Sequence, residues 1–154
     1  MATWDELARL RPGATVRVRD EGFVIERTIC FEQGESVWWE HRLSSDSSGR
    51  SLWLEIATEP EKAVIAYDSS ATLDFVPDGG PETVYRGERL RLLLSGRATY
   101  RSIERSAAPK TGELVYHEYA VGDRHVTYEC RSESTVWEVS EGREIDAAEV
   151  EIVA

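Results

Sequence analysis

After a short opening segment, apolar and polar positions alternate with a period of two almost to the end of the chain, the pattern of half-buried β-strands. "ATVRVR" (14–19) sets Val16 and Val18 against Arg17 and Arg19. "FVIERTICF" (23–31), "ESVWWEHRL" (35–43), "SLWLEIA" (51–57) and "AVIAYD" (63–68) come next, separated by the turn-forming "DEG", "EQG", "SSDSSGR" and "TEPEK". The rhythm breaks in "DSSATLDFVPDGGPETVY" (68–85), which reads as a connector holding one short strand, "ATLDFV". It resumes in "GERLRLLLSG", "RATYRSIERS", "ELVYHEYAV", "HVTYECR", "STVWEVS" and "AEVEIVA", with "AAPKTG", "GDR" and "EGRE" as loops and turns. "TWDELARL" (3–10) is different. Thr3 can cap a helix while Glu6 reaches back in a capping box, and Trp4, Leu7, Ala8 and Leu10 form one stripe before "RPG" ends it.

Turn signals about every 8–12 residues predict an antiparallel meander. The meander repeats. With residue 13 placed on residue 87, Gly13, Arg17, Gly22 and Arg27 match Gly87, Arg91, Gly96 and Arg101. After a four-residue insertion near Pro109, "GESVWWEHRL" (34–43) falls on "GELVYHEYAV" (112–121), with Trp38 over Tyr116, Glu40 over Glu118 and His41 over Tyr119. The expected fold is a single all-β domain spanning 1–154, an antiparallel barrel or sandwich capped by one short N-terminal helix. Two tandem repeats, about 13–68 and 87–145 with a connector at 69–86, would give it pseudo-twofold symmetry.

Strand alternation divides the conspicuous "WWEH". Val37, Trp39, His41 and Leu43 share one face, the more apolar one and so the expected core; Trp38 and Glu40 share the other, as do Tyr116 and Glu118. His41 then reads as a buried histidine hydrogen-bonded to backbone, like its counterpart Tyr119. If the repeats bring Glu40 and Glu118 together, one carboxyl pKa rises, as acid–base chemistry requires. The same acids, flanked by Trp38 and Tyr116, would suit an ammonium group through charge and cation–π attraction. The simpler expectation pairs each glutamate with Arg27, Arg42 or Arg101 on a neighbouring strand.

Composition narrows the partners. Twenty-nine acids against 18 Lys and Arg give a net charge of -11, which disfavours nucleic acid and favours a protein partner or a small cationic ligand. No apolar run is long enough to span or insert into a membrane, and the N-terminus lacks a signal-peptide core, so the expected compartment is the cytoplasm. Cys30 and Cys130 make no CxxC pair, and His41, His117 and His125 have no helical ligand spacing, so no metal site is expected. No phosphate loop, nucleophile elbow or βαβ unit is present, so neither a cofactor nor a catalytic residue is assigned. Leu92, Leu93 and Leu94 place apolar groups on both faces of one strand, which suits either a central strand or a homodimer contact.

The order Leu10-x-Pro12-Gly13, then Trp38-x-Glu40-His41, then Gly49 and Trp53-Leu54-Glu55 resembles the DUF4178 family, a bacterial domain of unknown function. His41 stands where that pattern implies tyrosine, and Tyr119 keeps the tyrosine in the second half. The resemblance implies no activity. It does imply an association with membrane-stress and polyamine pathways. The expected function is therefore a non-catalytic binding or protein-interaction module. The alternatives are an amine or polyamine binder built on Trp38, Glu40, Tyr116 and Glu118, and an enzyme using the paired glutamates.

Overall fold

A computed structural model describes residues 1–45 and 47–153. Helix α1 (Trp4–Ala8) begins at the Thr3 cap with the capping box in place. The strands are β1 (Thr15–Val18), β2 (Glu21–Gln33), β3 (Ser36–Ser44), β4 (Ser51–Ala57) and β5 (Ala63–Thr72), then β6 (Glu82–Tyr85), β7 (Glu88–Glu104), β8 (Lys110–Val121), β9 (Arg124–Arg131), β10 (Glu138–Ile145) and β11 (Val150–Val153). Every neighbouring pair is antiparallel. Among the described residues no helix is long and apolar enough to cross a membrane.

The ladder runs β2-β3-β4-β5-β10-β9-β8-β7 and closes where β2 meets β7, from Arg27 opposite Glu104 to Glu32 opposite Thr99. The result is an eight-stranded barrel. A bulge between Ile25 and Arg27 bends β2, so its first residues pair with β1 and its last with β7. β1 and β11 thereby form a flap beyond β2, and β6 forms another beyond β7. Both flaps turn through two residues of positive φ, Arg19 (49°) and Asp20 (70°) in one, Arg86 (50°) and Gly87 (78°) in the other.

The apolar faces point outward. On the first half, Leu43, Leu54 and Ile56 are sealed at 0% exposure beneath Leu7 of α1 and beside Val16 and Val150 of the flap. On the second half, Tyr119, Val126, Tyr128 and Val139 lie under Leu73 and Tyr85 of the connecting segment. His41 is buried in the first of these layers, where Nε2–H donates to the Leu7 carbonyl at 2.8 Å and Nδ1 accepts from Thr28 Oγ1 at 2.9 Å. The Tyr119 hydroxyl likewise donates to the Gly80 carbonyl at 2.8 Å. Each half thus pins its cover with one polar tip on one backbone carbonyl.

Three expectations need correcting. The segments 87–96 and 97–106 are one strand, β7, whose bulge between Leu92 and Leu94 sends Leu92 to the outer layer and Leu94 inward. The strand expected at 71–76 does not form. β5 ends at Thr72, and Phe75 and Val76 are exposed outside any strand. The "EGRE" turn lies inside β10, where Gly142 relieves a crowded bulge. A Cβ there would sit 2.5 Å from the Ala66 carbonyl oxygen. That backbone is fixed in the ladder, so Gly142→Ala should cost about 1–3 kcal/mol, read as a lower urea midpoint with unchanged slope.

Candidate functional site

With the apolar faces outward, the mixed faces enclose a cavity of ≈ 350 Å³ to which all eight barrel strands contribute. The more apolar face of β3 is buried in a core, as expected, and that core lies outside the barrel wall. His41 and Leu43 are buried, but in the layer beneath the helix, while Trp38 and Glu40 face the barrel interior. Tyr116 and Glu118 line the same cavity, so the four residues singled out from the sequence share one space. The Trp38 and Tyr116 rings lie 5.8 Å apart, tilted by 60°.

Register adds two more acids to this space. Glu55 stands directly opposite Glu40 across the β3–β4 ladder, and Glu129 opposite Tyr116 across β8–β9. Glu40 and Glu129 are half-buried because they border the cavity, whereas Glu55 and Glu118 are 6% and 5% exposed. The expected arginine pairs do not form. Arg27 pairs with Glu104, and among the described residues neither Arg42 nor Arg101 reaches Glu40 or Glu118. The physical reason is placement. Arg42 and Arg101 are exposed, outside the enclosed stretch of the barrel.

Among the described residues Glu40, Glu55 and Glu129 have no ion-pair partner, and burial sets their chemistry. Burial, then the charges of Glu129 and Glu118, hold the Glu40 carboxyl well above the usual carboxylate range. Burial, then Glu118 and Glu40, do the same to Glu55. The Tyr67 hydroxyl beside it, hydrogen-bonded to Thr127 Oγ1 at 2.9 Å, opposes the shift in part. Glu129 is raised by burial, against the pull of Arg131. Arg131 is the guanidinium that borders the cavity, 5.6 Å from the Tyr100 ring centre.

Glu118 is held from outside this cluster. His125 Nδ1 lies 2.8 Å from its Oε2, and Nε2 lies 3.2 Å from Glu144 Oε2. Burial opposes charge on His125, but Glu118 and then Glu144 outweigh it and raise the imidazole pKa, with each ring nitrogen within hydrogen-bond distance of a carboxyl oxygen.

The aromatic groups also form a continuous set. Phe31 stacks on Trp38 at 5.4 Å with an 8° angle, and Tyr100 leans on Phe31 at 6.3 Å. The Tyr100 hydroxyl donates to Glu133 and the Tyr116 hydroxyl to Gln33, so both tips are already engaged. An enclosed space bordered by unpaired acids and ring faces is chemically suited to holding an organic cation.

Over 150 residues the chain is 24% identical to the uncharacterized protein Rv2597 of Mycobacterium tuberculosis and to the uncharacterized protein Mb2628 of Mycobacterium bovis. The match covers 94% of this chain and 71% of each relative. No solved structure matches it. The model of a family described as "Domain of unknown function (DUF4178)" matches residues 11–147, a span that takes in every strand of the barrel. The chain belongs to that family.

Proposed function

We propose that this domain is a non-catalytic binding module whose barrel interior takes up a small organic cation. The observation that supports this best is the cluster of Glu40, Glu55 and Glu129 around the cavity without an ion-pair partner among the described residues. Leaving carboxyls buried and unpaired costs stability, and natural barrels fill such positions with apolar groups when nothing must bind there. A cation entering the cavity would supply the missing charge and release protons from the raised carboxyls. Affinity should therefore strengthen as pH rises through their titration range.

The test is a titration of butylamine, phenethylamine and spermidine, each to millimolar concentration, followed by tryptophan fluorescence from Trp38 and Trp53. At least one amine should bind, with proton uptake by the buffer in calorimetry. Glu55→Gln should weaken that amine about tenfold, equivalent to about 1.4 kcal/mol. Silence from all three amines at pH 8 would sink the reading.

A further inference from the structure

The cavity is not uniform around its circumference, and the difference bears on what kind of cation fits. The two seam strands, β2 and β7, contribute no carboxyl to the lining. Their inward groups are chiefly Ile29, Phe31, Leu94 and Tyr100, which pack with Leu114 and Tyr116 as one apolar cluster. The opposite strands, β4, β5, β9 and β10, supply Glu55, Tyr67, Ser70, Thr127, Glu129 and Ser140. β3 and β8 stand between and each carries one of both kinds, Trp38 with Glu40 and Tyr116 with Glu118. The cavity thus has an apolar aromatic wall at the seam and an acidic, hydroxyl-bearing wall facing it.

From this division, and resting on the organic-cation reading above, we infer that the ligand is an amphipathic amine, with one ammonium head and one apolar body of about aryl size, rather than a diamine or polyamine. A head placed between Glu40 and Glu55 leaves the rest of the molecule against Phe31, Trp38 and Tyr100, where burying its apolar surface is favourable. The polar groups on the seam wall, Gln33, Ser95 and the hydroxyls of Tyr100 and Tyr116, are all neutral, so a second charged end there meets no counter-charge. A second ammonium pressed to that wall would lose its hydration for ring faces and neutral oxygens alone, a weaker exchange than a carboxylate offers. The volume of ≈ 350 Å³ falls at the small end of ligand sites.

Calorimetry at pH 8 on the intact domain, with phenethylamine, 1,5-diaminopentane and uncharged 2-phenylethanol as probes, tests this. Phenethylamine should bind at least tenfold tighter than either of the others. Phe31→Leu, which keeps the site apolar but removes the ring, should weaken phenethylamine several-fold and leave the diamine unchanged. If 1,5-diaminopentane binds as tightly as phenethylamine or more so, the amphipathic inference fails while the organic-cation reading stands. If 2-phenylethanol matches phenethylamine, the carboxyls play no part and both fail. No binding by any of the three overturns the amphipathic inference, and the organic-cation reading falls with it if butylamine and spermidine are also silent.

Discussion

Replacing His41 by alanine should remove about 3–5 kcal/mol of stability, the largest single loss expected in the domain. The side chain is fully buried, and its removal leaves a void and strips the Leu7 carbonyl and the Thr28 hydroxyl of their partners. The same site makes the wild type sensitive to acid. Burial, only partly offset by the Leu7 hydrogen bond, lowers the imidazole pKa from 6.5 to about 4. A depressed folded-state pKa means the unfolded chain takes up the proton first. The stability linked to this group is therefore complete above pH 6.5 and is lost as pH falls toward 4, by about 3 kcal/mol over that interval. Urea denaturation at pH 7, 5.5 and 4 should show it. His41→Gln, which can still donate to Leu7 and accept from Thr28 but does not titrate, should keep most of the stability at pH 4. An equal acid loss in His41→Gln would show that another group is responsible.

Glu55→Gln should act in the opposite direction and raise stability by about 1–2 kcal/mol at pH 8. The wild-type carboxyl has a folded-state pKa well above 4.5. Its stabilising contribution is present below pH 4.5 and disappears as pH rises through the raised value, because the folded protein must then carry a buried charge. The gain from Glu55→Gln should accordingly vanish near pH 4. Glu40 stands directly across the ladder and repels it, so Glu40→Gln/Glu55→Gln should gain less than the sum of the two single changes. Thermal melts of the four proteins at pH 4, 6 and 8 would decide. A loss of stability in Glu55→Gln at pH 8 would count against an unpaired, raised carboxyl at this position.

These opposed pH responses arise from two faces of the barrel wall, His41 on the outer side of β3 and Glu55 on the inner side of neighbouring β4, and strand alternation made the division within β3 readable. The split of Trp39 and His41 from Trp38 and Glu40 comes from period two alone, and the Thr3–Glu6 cap from local hydrogen-bond chemistry. Which side faces the centre was not legible in the same way. In an ordinary barrel the apolar side fills the middle. Here α1, the flap and the connecting segment cover it from outside, and those are long-range contacts with no local signature. That Glu55 and Glu129 join the cavity was hidden for a related reason. Each sits in a strand of strongly apolar rhythm, "SLWLEIA" and "HVTYECR", and only the cross-strand register shows that they share a space with Glu40 and Glu118. The "EGRE" segment reads as a turn because glycine signals a tight backbone approach as readily as a reversal.

The closing seam has a consequence for how the protein comes into being. Arg27 and Glu104, which join at the seam, are 77 residues apart. A growing chain cannot begin to close the barrel until residues 99–104 have been made, and contacts of such separation form slowly. Until then β2 to β5 stand as an open, curved sheet with unpaired edges, a form prone to self-association. Its greasier side can be covered early by α1, which precedes it in the chain. The side left wet carries Glu40 and Glu55, whose negative charge opposes strand-on-strand stacking between nascent chains. Acids that strain the finished barrel would in this way protect the unfinished one.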